Sequence, residues 1–299
     1  MDDRISSDIP SRLRQHLNER MVEIAAGFGT VSDPLGRAMS EAALASGKRF
    51  RGMLMLLAAE ASGGADATVI DAACAVEMVH TASLIFDDMP CMDDARMRRG
   101  QPATHVAHGE GRAVLAGIAL ISEAIAVLAQ ARGAAEDTRA RLVRILTRAI
   151  GPQGLCAGQD MDLHAGKDRA GVEREQDLKT GVLFVAAMEM LAAIRNVEAA
   201  ELDHMTAFAR QLGRVFQSYD DLLDRVGDQQ ALGKDTGRDR TAPGPQRGLL
   251  AIGDFGQVSH HYEVNRARLD DLMRAHRFHS GEMAALLQRV LPYRVARSA

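Results

Sequence analysis

Apolar residues recur at spacings of three and four through seven segments of this chain, roughly 36–61, 66–87, 111–131, 138–150, 174–196, 201–226 and 260–290. That period lays one apolar stripe along each segment and is the mark of amphipathic helices. No stretch alternates apolar and polar residues for long enough to make a sheet. A chain of this kind must bury its stripes helix against helix, so the pattern predicts an all-α, single-domain helical bundle. The punctuation agrees: Ser62-Gly63-Gly64, Pro90, Gly100-Gln101-Pro102, Gly151-Pro152 and Gly166 are helix-ending signals. At 299 residues one large domain or two would fit, and with no fixed short repeat and no clear linker we read one domain over 1–299.

Two acidic clusters interrupt the helical text. Asp87-Asp88-Met89-Pro90-Cys91-Met92-Asp93-Asp94 is followed at once by Arg98-Arg99, and Asp220-Asp221-Leu222-Leu223-Asp224 lies well over a hundred residues later. Each follows apolar sequence, and carboxylates at the end of an apolar face are unfavourable to bury unless something neutralises them. A hard divalent cation such as Mg²⁺ suits the task, because it takes few protein ligands and completes its shell with water and phosphate oxygens. In a helix Asp220 and Asp224 share a face, with Asp221 about 100° round. His80 precedes Asp87 by seven residues and points to the same side. Pro90 cannot continue a helix, and the kink it imposes would bring Asp93 back toward Asp87. Two helices presenting these clusters to each other would enclose a cavity with acid on both walls and an apolar floor. Asp2-Asp3 and Asp270-Asp271 lack a third aspartate or a following arginine pair and read as plain solvated surface.

Composition narrows the partners. The net charge of -4 gives no reason to expect nucleic acid. The longest apolar runs, such as Val114–Ile121 and Val182–Met188, are too short to span a bilayer, and Met1-Asp2-Asp3-Arg4 does not open a signal peptide. Cys74, Cys91 and Cys156 show neither zinc spacing nor a disulfide framework, which fits the reducing cytoplasm. There are 15 Met and no Trp. That composition suits flexible apolar channels, or reflects no more than a GC-rich genome's helical core. Of the 36 basic residues only Lys48, Lys167, Lys179 and Lys234 are lysines. In a chain that otherwise uses arginine, each retained lysine reads as a compact point charge.

These motifs taken together resemble the trans-isoprenyl diphosphate synthases. The first cluster matches their DDxxxxD motif with a following arginine pair, and the second matches DDxxD. The likeness runs from Gly47 to about Asp239 and includes Gly47-Lys48-Arg49-Phe50-Arg51, His80, Gly158-Gln159-Asp160-Met161-Asp162-Leu163, Lys179-Thr180-Gly181, Phe216-Gln217 and Gly233-Lys234-Asp235. The chain is most similar to the bacterial geranylgeranyl diphosphate synthases of carotenoid pathways. The resemblance implies the isoprenoid synthase bundle with a central apolar cavity, a homodimer, and Mg²⁺, three ions with bound diphosphate. The helix at 111–131 is a candidate dimer face, with ordinary core burial as the alternative.

By the same resemblance, Asp87 and Asp93 bind Mg²⁺ ions that grip the allylic diphosphate, and Asp220 binds a third from the opposite wall. Asp88, Asp94, Asp221 and Asp224 act through water or from behind these ligands. Lys48, Arg51, His80 and Arg99 hold the diphosphate of isopentenyl diphosphate. Arg98, Lys179 and Lys234 hold that of the allylic substrate, and Thr180 and Gln217 face the developing allylic cation. Ala82 and Ser83 stand where short-chain members carry an aromatic side chain, and their small size implies a twenty-carbon product; a farnesyl product is the alternative. Ionising an allylic diphosphate demands heavy neutralisation of the leaving group and exclusion of water. The Gly-, Asp- and Arg-rich segment 227–245 reads as a flap that closes over the site. It departs from the family pattern, since Arg240 to Arg247 contains no lysine where the family often has one. A class I terpene cyclase would share the metal site but has no need for Lys48, Arg51 and His80. A silent partner subunit would usually have lost one acidic cluster.

Overall fold

A computed structural model of the chain describes residues 9–29, 33–163, 168–226, 255–275 and 279–293. Helix α1 (Ile9–Ala25) buries Leu13, Leu17, Met21 and Ile24 along one stripe. Helix α2 (Pro34–Leu44) begins at a proline, and the Asp33 carboxylate caps it by accepting the Leu35 N–H at 2.9 Å. Helix α3 (Phe50–Glu60) is buried almost all round. Helix α4 (Ala67–Asp87) is capped by Asp66, whose side chain accepts the Val69 N–H at 3.0 Å.

A two-stranded antiparallel hairpin follows, β1 (Met97–Arg98) and β2 (Gln101–Pro102), with Arg98 opposite Gln101. Its turn residues Arg99 and Gly100 both have positive φ, 53° and 76°, as a tight two-residue hairpin requires. Then come α5 (Thr104–His108), α6 (Glu110–Ala129), α7 (Glu136–Ile150), α8 (Leu155–Asp162) and α9 (Arg169–Gln176). A π-helical turn, Asp177–Gly181, joins α9 to α10 (Val182–Arg195). Helix α11 (Ala199–Val226), α12 (Phe255–Arg274) and α13 (Gly281–Val290) complete the described elements.

Helix α4 is the axis of the bundle. It packs against α1, α2, α3, α6, α7 and α10, and α11 packs against α10, the π turn and α12. Between α3, α10 and α11 the rings of Phe50, Phe184 and Phe216 meet with centroids 5.5 to 5.8 Å apart. This cluster ties α11, which carries the second acidic cluster, to α3 and α10.

Several elements differ from the sequence reading. The segment 36–61 is two helices, because Arg49 has a left-handed φ of 48° and the chain from 46 to 49 is not helical. The segment 174–196 is divided by the π turn, and 260–290 is two helices, the second capped by Ser280. Helices α1, α5 and α8 lie in none of the segments read from the sequence. Asp270 is not solvated surface: it is 3% exposed, paired with the buried Arg266, and accepts a hydrogen bond from the Tyr293 hydroxyl. The apolar runs are also longer than the sequence suggested. By length and composition α4 and α6, of 21 and 20 residues, could each cross a bilayer, though α4 is mostly covered by its neighbours. Helix α6 buries Ala113, Ala116, Gly117 and Leu120 on one side and exposes Leu115 and Ile118 by 55% and 52% on the other.

Candidate active site

A cavity of about 480 Å³ lies between the C-terminal half of α4, the hairpin, the π turn and α11. Lys48, Arg51, His80, Ser83, Asp87, Asp93, Arg98, Arg99, Lys179, Thr180, Gln217 and Asp220 all line it. Of the side chains singled out by sequence, Ala82 is fully buried in the core and is not among those lining this cavity. Lys234, Arg240, Arg247 and the flap at 227–245 lie outside the described residues, as do Gly166, Lys167 and the side chain of Asp224.

The acidic end is built by the close of α4. Asp87 is its last residue, where the negative end of the helix dipole already disfavours a carboxylate. The chain then turns back through Pro90, and the N–H of Asp93 donates to the carbonyl of Asp87 at 2.9 Å. The N–H of Ala95 donates to the carbonyl of Asp88 at 3.1 Å, so the loop closes the helix end as it delivers Asp93 to the cavity. Burial lifts the Asp87 carboxyl to a pKa of about 6, opposed by Lys179 and reinforced by Asp93. Asp88 is buried behind this wall. It binds Arg98 with both oxygens, Nε lying 3.0 and 3.1 Å away, and so fixes the guanidinium at the cavity edge. Burial works against the Arg98 charge, but Asp88, Asp87 and Asp93 outweigh it and raise its pKa.

The opposite wall comes from the π turn and α11. Lys179 donates to Asp162 at 2.7 Å. Burial alone would lower its pKa, yet Asp87, Asp162 and Asp93 hold it above the ordinary lysine value. The Thr180 hydroxyl donates to Gln217 Oε1 at 2.7 Å, and Gln217 Nε2 donates to Asp221 at 3.0 Å. Gln176 Nε2 reaches the other oxygen of Asp221 at 3.2 Å. This chain of bonds turns the Gln217 carbonyl toward Thr180 and ties the π turn to α11. The turn is clamped by close backbone approach: a Cβ on Gly158 would lie 2.4 Å from Lys179 N, and one on Gly213 would lie 2.6 Å from Gly181 Cα. A wider π turn here rotates Lys179 and Thr180 to the cavity side.

The basic end gathers residues of α3, α4, the hairpin and the link before α3. Arg51 stacks 4.6 Å from the Phe184 ring centroid and donates to His80 Nε2 at 3.3 Å. Arginine only donates, so the His80 ring accepts at Nε2 and keeps its proton on Nδ1. Burial, then the charges of Arg51 and Arg99, push the His80 pKa well below its ordinary value and leave it neutral. Burial lowers Arg51 to a pKa of about 10 against the pull of Glu77 and Asp220. Burial also lowers Arg99. Arg51 Nε and one terminal nitrogen of Arg49 are buried N–H groups with no hydrogen-bond partner, donor capacity that the protein alone leaves unmet. Lys48 reaches the cavity from an exposed position.

Sequence reasoning missed four contributors. Glu77 lines the basic end, is 2% exposed, and accepts the Gly52 N–H at 2.8 Å. It stands three residues before His80 on the same face of α4, a spacing that could have flagged it. Arg49 lines the same end, and Asp162 and Gln176 hold Lys179 and Asp221. Asp162 lies inside a motif quoted for the family resemblance.

The acidic end fits Mg²⁺ by the chemistry of its donors. Its lining carboxylates are hard oxygen ligands, and Asp87 carries a pKa raised by burial, which a cation would relieve. Among the described residues no three such groups come together as a ready-made cage. That arrangement suits an ion that keeps water and phosphate oxygens in most of its positions.

Comparison with known proteins places these features. The polyprenyl synthetase family matches residues 33–245. A geranylgeranyl diphosphate synthase of Pantoea ananas is 42% identical over 240 residues, 79% of this chain and 78% of that protein. One of Pseudescherichia vulneris is 43% identical over 232 residues, 76% of this chain and 74% of its own. Among solved structures, an FPP/GFPP synthase from Zymomonas mobilis is similar with a TM-score of 0.79 at 27% identity, covering 97% of this chain and 99% of that one. A geranyltransferase from Helicobacter pylori, complexed with magnesium and isoprenyl diphosphate, gives 0.82 at 25% identity over 93% and 97% of the two chains.

Proposed function

This chain belongs to the polyprenyl synthetase family, and from that premise we propose that it is a prenyltransferase that joins isopentenyl diphosphate head-to-tail to an allylic diphosphate, giving mainly geranylgeranyl diphosphate. The observation that carries this reading is one cavity with a carboxylate end and a guanidinium end. A cyclase with a single diphosphate substrate has no use for the second end.

Asp87, Asp93 and Asp220 would hold magnesium, three ions with the allylic diphosphate bound. When bound, the metal neutralises the departing diphosphate and so promotes ionisation of the allylic C–O bond. Lys179 and Arg98, with Lys234 from outside the described residues, add positive charge on the same leaving group. Thr180 and Gln217 present oxygens toward the allylic carbon and stabilise its developing positive charge. Lys48, Arg51, His80 and Arg99 fix isopentenyl diphosphate by its own diphosphate, which stays attached and needs no metal. The double bond attacks the cation, and the proton then lost goes to the released diphosphate. Excluding water from the cation is the role we assign to the segment 227–245. We also propose a homodimer through the apolar outer face of α6, one domain over the whole chain, and a cytoplasmic site of action, in keeping with three free cysteines.

The test is incubation with labelled isopentenyl diphosphate, farnesyl diphosphate and Mg²⁺, with chromatography of the dephosphorylated products. A twenty-carbon alcohol supports the reading. Hydrocarbon release would point to a cyclase, and no turnover to a silent subunit.

A further inference from the structure

We propose that Arg14, on α1, is a positioning residue for the isopentenyl diphosphate end of the cavity. The inference rests on the functional reading above, in which Lys48 takes that diphosphate. Lys48 sits on a non-helical link between α2 and α3, and nothing in the helical ladder fixes its backbone. Two arginines do so instead. Arg14 donates through one terminal nitrogen to the Gly47 carbonyl at 3.3 Å and through the other to the Lys48 carbonyl at 2.9 Å. Arg49, in its left-handed conformation, donates to the Ala43 carbonyl at 2.6 Å and the Ala45 carbonyl at 3.3 Å. The peptide planes on both sides of the link are therefore held, and with them the direction in which the Lys48 side chain leaves the backbone.

The forked guanidinium matters here, since it meets the two successive carbonyls from separate nitrogens in a fixed plane, whereas an ammonium would have to reach both from one point. The anchor is itself rigid. Leu13 and Leu17, on either side of Arg14 in the helix, are 1% and 0% exposed, so α1 cannot roll without emptying part of the core. Arg14 lies outside residues 33–245, which match the family, and outside every motif that carries the resemblance. The alternative is that Arg14 merely satisfies two carbonyls at the surface, and the two predict different kinetics.

The experiment uses the full chain, with Arg14→Ala, Arg14→Lys, Lys48→Ala and the double variant Arg14→Ala/Lys48→Ala. Arg14→Ala should raise KM for isopentenyl diphosphate by roughly tenfold, with a much smaller change in KM for the allylic substrate. Arg14→Lys should lie between wild type and Arg14→Ala. In the Lys48→Ala background, Arg14→Ala should add less than about twofold, because the lysine it positions is already gone. Additive effects in the double variant, or equal rises for both substrates, would overturn the proposal. Amide hydrogen exchange separates this inference from the functional one. Residues 45–49 should exchange faster in Arg14→Ala whether or not the protein turns over, and unchanged exchange there removes the clamp. A wild type that consumes no isopentenyl diphosphate sinks the functional reading, while the exchange result still decides whether Arg14 holds the link.

Discussion

At one end of the cavity burial lifts a carboxylate, and at the other it depresses two cations. Asp87 rises to a pKa of about 6, whereas Arg51 falls to about 10 and His80 is held neutral. At both ends burial disfavours the charged form, of opposite sign at each. Each is therefore shaped for a ligand of the other sign. On the proposed function, the difference would let one protein hold two diphosphates and ionise only one of them. A diphosphate at the acidic end would arrive with metal, which prepares it to leave, and one at the basic end would be met by guanidinium and ammonium groups that hold it without breaking its C–O bond.

The largest effect expected from breaking this contrast is at the carboxylates. Asp87→Ala or Asp220→Ala should lower turnover by about 10³-fold or more, with helical content unchanged by circular dichroism. Near wild-type turnover in both variants would remove the metal role from the acidic end. Next come the cations. Lys48→Ala and Arg51→Ala should raise KM for isopentenyl diphosphate by an amount worth roughly 1.5–3 kcal/mol, while Lys179→Ala acts through the allylic substrate. If Lys48→Ala weakened only the allylic substrate, the two ends would be exchanged.

Stability without metal should sharpen the contrast further, because the two ends respond to pH in opposite directions. The folded-state pKa of Asp87 lies above its unfolded value, so its penalty is absent below pH 4 and appears as pH rises to about 6. Asp87→Asn should therefore stabilise the metal-free protein at pH 7 by at most about 3 kcal/mol, with the gain gone by about pH 4. His80 has a folded pKa below its unfolded one, so its penalty appears as pH falls below 6.5. His80→Gln should flatten that acid-side loss. Urea midpoints across this range read both, and parallel slopes in wild type and variants would show that neither group is perturbed.

At Ala82→Tyr the expected change is in product length, read on whatever activity survives overpacking a fully buried site. Ala82 lies five residues before Asp87, about 7.5 Å along the helix. An active variant should release mainly a fifteen-carbon alcohol, and an unchanged twenty-carbon alcohol would show that the growing chain does not pass this residue.

Much of this site is legible in the sequence. The aspartates announce themselves because a helix that ends in two carboxylates after a long apolar run needs a reason, and Pro90 supplies the fold-back that the Asp93 N–H completes. Lys48 stands out as one of four lysines, whereas Arg51 and His80 are raised only by their offsets from those clusters. What the sequence hid has two physical causes. Residues such as Glu77 and Asp162 act by pairing across elements far apart in the chain, and period alone does not show which helices meet. The π turn at Asp177–Gly181 leaves no local mark, because it is set by two glycines on neighbouring helices, Gly158 and Gly213. The same blindness affected Asp270, which looked like surface until Arg266 and Tyr293 were seen to enclose it. The break before α3 was hidden because Arg49, and not a glycine, takes the left-handed conformation.

The contrast between the two ends is tested most directly by calorimetric titration of two ligands, isopentenyl diphosphate and a non-ionising thio analogue of farnesyl diphosphate, each with Mg²⁺ and with chelator. Isopentenyl diphosphate should bind in both conditions with affinities within about tenfold, and Arg51→Ala should weaken that binding by about 10- to 100-fold in both. The farnesyl analogue should bind only with Mg²⁺, and Asp87→Ala should abolish its binding. Isopentenyl diphosphate binding that requires the metal, or analogue binding that survives the chelator, would contradict the division of the cavity into a metal-dependent and a metal-free end.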